Sequence, residues 1–223
     1  MRLVLLGPPG AGKGTQSDVL KEKLGHGVLH HSVGDILRDA VKKNTPLGKQ
    51  AEPFMSSGKL VPDNIILGVI RERFMEKNFQ PCFLMDGFPR TIPQAEAFDS
   101  ILKELRLPLT GVIVLDIPLS AIIERLVQRR SCPVCHRVYH LKYQKPKHDE
   151  MCDEGHGALI QRPDDSAEII RQRFAVYEKE TLPVIQYYQK KNLLIPVVAT
   201  ESIDNVSKDL LAKIDLFKKE HVL

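Results

Sequence analysis

Long apolar runs are missing from this 223-residue chain, and none approaches the roughly 20 residues needed to cross a bilayer, so no membrane-spanning helix is expected. The opening MRLVLLG gives one arginine and an apolar run that ends too early for a secretory signal; the expected setting is cytoplasmic. Cysteine is scarce, four in all, which in that setting argues against a disulfide framework and towards metal binding or burial. Repeats and low-complexity tracts are absent, and the 43% apolar share is ample for a core, so disorder is not expected. Neither sign of charge dominates. With 32 basic against 28 acidic residues the formal balance is +4, which fits an anionic substrate without requiring one. The length suits one main domain, or one domain carrying insertions.

What is present is a rhythm. Short apolar runs recur at 3–6, 28–29, 83–85, 112–115 and 193–198, each marking a strand, with helix-period segments between most of them. In TIPQAEAFDSILKEL, Ile92, Ala95, Phe98, Ile101, Leu102 and Leu105 share one face; in SAEIIRQRFAVYEKE, Ile169, Ile170, Phe174 and Tyr177 do. Strands alternating with helices predict an α/β fold, a doubly wound five-stranded parallel sheet with helices on both faces. Two stretches break the rhythm, 32–61 and 128–165, and read as insertions on a core made of 1–31, 62–127 and 166–223. The second holds three of the four cysteines.

The densest signal is GPPGAGKGT, residues 7–15, with four glycines, two prolines and one lysine. It joins the first apolar run to a helical segment at 14–24. Glycines there let backbone N–H groups converge on a phosphate chain beside the positive end of the helix dipole, and Lys13 adds a mobile charge. The pattern is the P-loop, G-x-x-x-x-G-K, with Gly14 where Ser or Thr is commoner and Thr15 next. It predicts a nucleotide but not a reaction.

Other segments narrow the reaction. MDGFPRT (85–91) follows the third run, SVGDILR (32–38) the second, LVQRRSC (126–132) the helix after the fourth, and VVATES (197–202) ends the fifth. In a doubly wound sheet the carboxyl ends of the strands form the ligand-binding edge, so these turns should meet beside the phosphate loop. The cationic candidates of that edge are Lys13, Arg38, Arg90, Arg129, Arg162 and Arg173.

Together, GPPGAGKGTQ, GDILR, GKLVPD, DGFPRTIPQAE, RVYH and QRPDD followed by RQR resemble the adenylate kinase family in its long-lid bacterial form, in order and in spacing, weakening after about residue 188. DGFPRT combined with the P-loop is specific to that family and its near relatives. The resemblance implies reversible transfer of the terminal phosphoryl group of MgATP to AMP, giving two ADP. By position, Gly10, Ala11, Gly12, Lys13, Gly14 and Thr15 would hold the donor phosphates, with Val138 and Tyr139 flanking the donor base. Arg38 and Arg90 would grip the acceptor phosphate. Val33, Lys59, Leu60, Val61, Gly87, Phe88, Pro89 and Gln94 would line the AMP site, with Gln94 reading adenine. Arg129, Arg162 and Arg173 would close on the transferring group, and Asp86 would hold waters on magnesium. The 32–61 insertion would be the AMP-binding flap and 128–165 the lid. The resemblance also implies a monomer acting on ATP, AMP and ADP, without nucleic acid or membrane. This allocation suits phosphoryl transfer, which needs in-line placement and cations where charge spreads rather than a general base. Guanidinium forks pair with phosphate bidentately and stay charged at any relevant pH.

Two positions depart from the family pattern. Val33 stands where Thr or Ser usually contacts the AMP base, which shifts base recognition onto Gln94 and the backbone of 59–61. VVATES lacks the glycine that often lets the backbone approach the donor adenine, which leaves ATP against GTP open. In the lid, Cys132 and Cys135 form C-x2-C, and Cys152 follows after sixteen intervening residues, a zinc-ribbon spacing for a structural Zn2+. The family's fourth ligand position falls on Gly155, which has no donor. His156 is favoured instead, because a one-residue shift in a glycine-flanked turn is easy and imidazole suits zinc; Asp153 is the second choice. Asp164 and Asp165 read first as a helix N-cap pair and second as a hinge lock, and Cys82 as a small apolar residue of the third strand. Two alternatives remain: a UMP/CMP kinase, against which the long lid and Gln94 count, and a nucleic-acid-binding ribbon on an NTPase core. Against the latter, only Tyr139 and Tyr143 are interleaved with the basic residues of the lid.

Overall fold

The computed structural model describes residues 1–23, 29–56, 61–76, 79, 81–135, 137–162 and 165–220. In chain order its elements are β1 (Arg2–Leu6), α1 (Lys13–Lys23), β2 (Leu29–Ser32), α2 (Val33–Lys42), α3 (Pro46–Ser56), α4 (Asp63–Phe74), β3 (Phe83–Asp86), α5 (Ile92–Glu104) and β4 (Gly111–Asp116). There follow α6 (Leu119–Val127), β5 (Arg129–Ser131), β6 (Val138–His140), α7 (Ala167–Val176), a π turn (Tyr177–Thr181), α8 (Leu182–Gln189), β7 (Leu194–Val198) and α9 (Ile203–Glu220). No helix among the described residues is long and apolar enough to cross a membrane.

Strands β2-β3-β1-β4-β7 form one sheet in that order, every pairing parallel, as the alternation of runs and helices predicts. The apolar runs are continuous because both faces of the sheet are covered. Val4, Leu6, Phe83, Met85, Val112 and Val114 point into one core with α2, α3, α4, α5 and α8. Leu3, Leu5, Leu84, Ile113 and Leu115 alternate with them and point into the other, with α1, α6 and α9. Cys82 packs half-buried against this second face. β7 closes the sheet as an edge strand and tolerates Pro196 on its solvent side.

Register fixes what meets at the carboxyl edge. Leu5 lies opposite Asp86, Ser32 opposite Asp86, and Asp116 opposite Val198. The chain leaves β1 towards β2 on one side, and β4 is added on the other, so the loop after β1 opens at the point where strand order reverses.

Two local expectations change. The segment 166–180 is not one α-helix but α7 followed by the π turn, and of its expected face only Ile170 is fully buried. Asp165 does not cap α7. Ser166 does, its Oγ accepting the Ile169 N–H at 3.4 Å, while Asp165 is wholly buried against Arg129; Asp164 lies outside the described residues.

Within 32–61, α2 ends at Asn44 in the left-handed region (φ 54), which asparagine tolerates well. Thr45 then caps α3, its Oγ1 accepting the Gly48 N–H at 3.0 Å, with Pro46 as the first helical residue. Gly48 is where the two helices touch: a Cβ there would sit 2.2 Å from the Ala40 carbonyl oxygen and 2.7 Å from the Val41 nitrogen. Both are backbone atoms and cannot swing aside. Gly48→Ala should therefore force α3 off α2 and destabilise the protein by about 3 kcal/mol, read from the midpoint shift in urea unfolding.

Candidate active site and lid metal centre

The loop from Gly7 to Gly12 turns tightly because three of its glycines adopt conformations other residues avoid: Gly7, Gly10 and Gly12 have φ of 152°, 82° and 91°. At Gly10 space is limiting too, since a Cβ would lie 2.8 Å from Leu126 of α6. Ala11 is buried beneath the loop, and Gly14 and Thr15 lie in the first turn of α1. α1 opens directly after the loop, so the positive end of its dipole adjoins the glycine turn, a ready-made phosphate seat. Lys13 folds back over its own loop, donating to the carbonyls of Gly7 at 2.8 Å and Pro8 at 3.0 Å.

Around Lys13 the structure gathers Asp86, Arg90, Arg129 and Arg173, all within electrostatic reach of its ammonium. Burial, with the three guanidiniums adding to it and Asp86 opposing, brings the Lys13 pKa down to about 8. Arg90 lies at the mouth of this cleft. Partial burial and the Arg173 charge lower its pKa, and Asp86 again opposes. Asp86 also lies 3.5 Å from His30 Nε2. Arg129 makes a fork with Asp165, Nε to Oδ2 at 2.8 Å and Nη2 to Oδ1 at 2.5 Å. Arg162, on the lid, donates from Nε to Ser131 Oγ at 3.3 Å. Arg38 lies on α2, its guanidinium over Gly34, where an added Cβ would be 3.3 Å away.

The loop carrying Arg90 is tied from several sides. Phe88 is buried edge-on against Phe98, ring centroids 5.3 Å apart, and the Phe88–Pro89 peptide is cis. Gly87 has φ 70° and its carbonyl accepts Arg90 Nε at 2.7 Å. Thr91 caps α5. Gln94 is nearly buried: its Oε1 accepts the Arg90 N–H at 2.8 Å and its Nε2 donates to Asp63 at 2.6 Å. An amide nitrogen has a second hydrogen to offer a ligand. Val33 packs half-buried against the core at the start of α2, and Val61 packs there too; Lys59 and Leu60 lie outside the described residues.

In the lid, β5 and β6 pair antiparallel, and Cys132, Cys135, Cys152 and His156 bring four donor atoms within 4.8 Å of one another. Cys135 Sγ is 3.6 Å from Cys152 Sγ, which is 3.7 Å from His156 Nδ1. Thiolates around one tetrahedral zinc stand about 3.8 Å apart, so the separations fit such an ion. Gly155 and Gly157, at φ 74° and 92°, make the turn that swings His156 in. Asp153 is turned away, accepting the Lys147 N–H at 2.8 Å. Burial would raise the Cys152 pKa, but hydrogen bonds from the Glu154 backbone, Tyr139 and the neighbouring thiols bring it down to about 6.

The Tyr139 ring is 1% exposed, and its hydroxyl meets Cys152 Sγ at 3.7 Å and the Asp153 N–H at 3.0 Å, which leaves its backbone to meet a donor base; Val138 is exposed. Motif spacing missed a second pair, Arg125 and Tyr143. Arg125 reaches the Glu201 carbonyl at 3.3 Å, in the loop after β7, and interacts electrostatically with Tyr143, whose ring is 59% exposed. Helical position alone could have flagged Arg125, four residues before Arg129.

A parallel sheet with a glycine loop at its switch point and cations around it defines a P-loop nucleotide-binding protein. The sequence pattern of the adenylate kinase family matches residues 5–193. The chain is 45% identical to the adenylate kinase of Archaeoglobus fulgidus, over 98% of this chain and all of that one. It is 48% identical to that of Methanocella arvoryzae over 96% of this chain and 98% of the relative, and 46% identical to that of Thermotoga neapolitana over 94% of each. The chain belongs to the adenylate kinase family, enzymes of phosphoryl exchange between ATP and AMP.

Lys13 yields a prediction with a definite sign. Bringing phosphates to a lysine of pKa about 8 raises that pKa, so ATP binding takes up protons at any pH where the free amine is partly neutral. Uptake should grow as pH rises from about 7 to 9, measured by calorimetry in buffers of different ionisation enthalpy, and should vanish in Lys13→Met.

Proposed function

We propose that ATP and AMP meet head to head over the carboxyl edge of the sheet, with the phosphoryl group passing between them inside the ring of Lys13, Arg90, Arg129 and Arg173. The convergence of those charges on one cleft carries this reading. Gly10–Thr15 seat the donor phosphates, and the exposed Tyr143 beside Arg125 offers the donor base a ring and a planar cation. Arg90 and Arg38 take the acceptor phosphate, Gln94 reads the acceptor base, and Arg162 arrives with the lid. Asp86 would hold the waters of a magnesium ion arriving with ATP, which would supply countercharge to the phosphates. Residues 32–61 act as the acceptor flap and 128–165 as the lid, whose closure excludes water as the competing acceptor. The chain works as a cytoplasmic monomer on free nucleotides.

The test is ADP formation from ATP with AMP, CMP, UMP and GMP as acceptors. AMP should lead, with discrimination loosened because Val33 offers no hydrogen bond; equal kcat/KM for CMP or UMP would shift the assignment to another monophosphate kinase. Arg90→Ala should fold and lose about 10³-fold or more of kcat. Wild-type turnover in that variant removes Arg90 from the mechanism.

We further propose that Cys132, Cys135, Cys152 and His156 hold a structural zinc ion with all four positions filled. The fit of three thiols and one imidazole nitrogen within 4.8 Å supports this, as does the diversion of Asp153 to Lys147. Purified protein should carry about one zinc, and chelation should lower the melting temperature. His156→Ala should weaken zinc retention while Asp153→Ala leaves it intact. Protein free of zinc with unchanged melting in chelator would reject the site.

A further inference from the structure

Thr181 belongs to no recognised motif, yet its hydroxyl, on a side chain 7% exposed, donates to the carbonyl of Arg90 at 3.1 Å. A helical threonine ordinarily turns its hydroxyl back to the carbonyl one turn earlier. Here the partner is 91 residues away in the chain. The other side of Arg90 is held as well, its N–H donating to Gln94 Oε1 at 2.8 Å, with Gln94 braced on Asp63 at 2.6 Å. The main chain of Arg90 is thus clamped between a side chain of α5 and one at the junction of the π turn with α8.

The π turn explains how Thr181 gets there. Arg173 and Thr181 are eight residues apart. In an unbroken α-helix, eight steps of about 100° overshoot two full turns by about 80°, which places the two side chains on different flanks. A π turn absorbs one extra residue, about 100° of phase, and returns the second position to within about 20° of the first. Arg173 already stands within electrostatic range of Arg90 and Lys13. One helical rod, beginning two residues after Asp165 at the end of the lid, therefore presents a charge to the cleft and a hydroxyl to the backbone of Arg90.

We propose that Thr181 is a positioning residue for phosphoryl transfer, and that the π turn exists to bring its hydroxyl onto the Arg90 carbonyl so that the Arg90 guanidinium meets the acceptor phosphate in register with Arg173. The proposal rests on the reading of Arg90 as an acceptor-phosphate ligand. Thr181→Val keeps the shape and removes the donor. It should lower kcat about 10- to 100-fold, the scale of a displaced catalytic group, and raise KM for AMP, with KM for ATP within twofold of wild type. Thr181→Ser should restore both constants. In an Arg90→Lys background the same valine substitution should have little further effect, because the placement it spoils is already lost. Thr181→Ala substitutes for valine if the latter does not fold. A kcat within twofold of wild type in Thr181→Val, a serine variant as impaired as valine, or fully additive losses with Arg90→Lys would each overturn the proposal. Wild-type turnover in Arg90→Ala would instead bring down the active-site reading, so the two failures are told apart.

Discussion

Like charges repel, and this fold is arranged to hold several of them at one strand edge before any anion arrives. Lys13 loses proton affinity chiefly through burial, with Asp86 opposing and Arg90, Arg173 and Arg129 each adding a smaller push in the same direction as burial. Three of these cations are restrained by local acceptors: Lys13 by loop carbonyls, Arg90 by Gly87, Arg129 by Asp165. These restraints keep the groups close to where a polyanion needs them, so that little reorganisation remains for the reaction. Two nucleotide phosphate chains are the natural partner for such a cluster, since they relieve the repulsion and leave it with no preference for water.

The sheet supplies the rigidity that the charges lack. β1 lies centrally between β3 and β4, so the loop that follows it is braced by strands on both flanks. Gly10 lets that loop lie directly on α6, where any side chain would strike Leu126. On the acceptor side, Phe88 anchors its loop in the core while Arg90 stands out of it. The division is consistent: apolar residues fix the backbone, and the adjacent polar residue is presented.

The strands and the phosphate loop were legible because their signals are local. A buried parallel strand must be apolar on both faces, and a phosphate-binding turn must be rich in glycine; both conditions write themselves into consecutive residues. What sequence did not disclose depends on distant partners. Asp165 looked like a helix cap because aspartate before a helix usually is one, but Arg129, 36 residues earlier, claims it. Tyr139 looked like a ligand contact because RVYH marks the lid, yet a small insertion must bury an aromatic ring somewhere, and this is the ring it buries. The π turn is invisible to a periodicity read at 3.6 residues per turn, since one extra residue only blurs the pattern. His156 was one choice among several neighbours; the two left-handed glycines flanking it bring its Nδ1 to 3.7 Å from Cys152 Sγ.

The 128–165 insertion, proposed above as the lid, gathers a candidate metal cluster and a buried ion pair into one small unit. Among its described residues the buried apolar cluster is Cys132, Tyr139, Cys152 and Leu159, too little apolar surface to hold a fold by burial. A piece that small would melt each time it left the rest of the protein unless covalent or coordinate bonds held it. The proposed zinc does this at one end. At the other, Arg129 and Asp165 join the strand that enters the lid to the chain that leaves it, and Asp165 is wholly buried in doing so. On the proposed reading of 128–165 as a lid, closure is the movement of a body tied at its hinge by Arg129 and Asp165, and that same Arg129 lies within electrostatic reach of Lys13. Under that proposal lid position and charge geometry are one variable, and the motion that completes the site is also the one that excludes water.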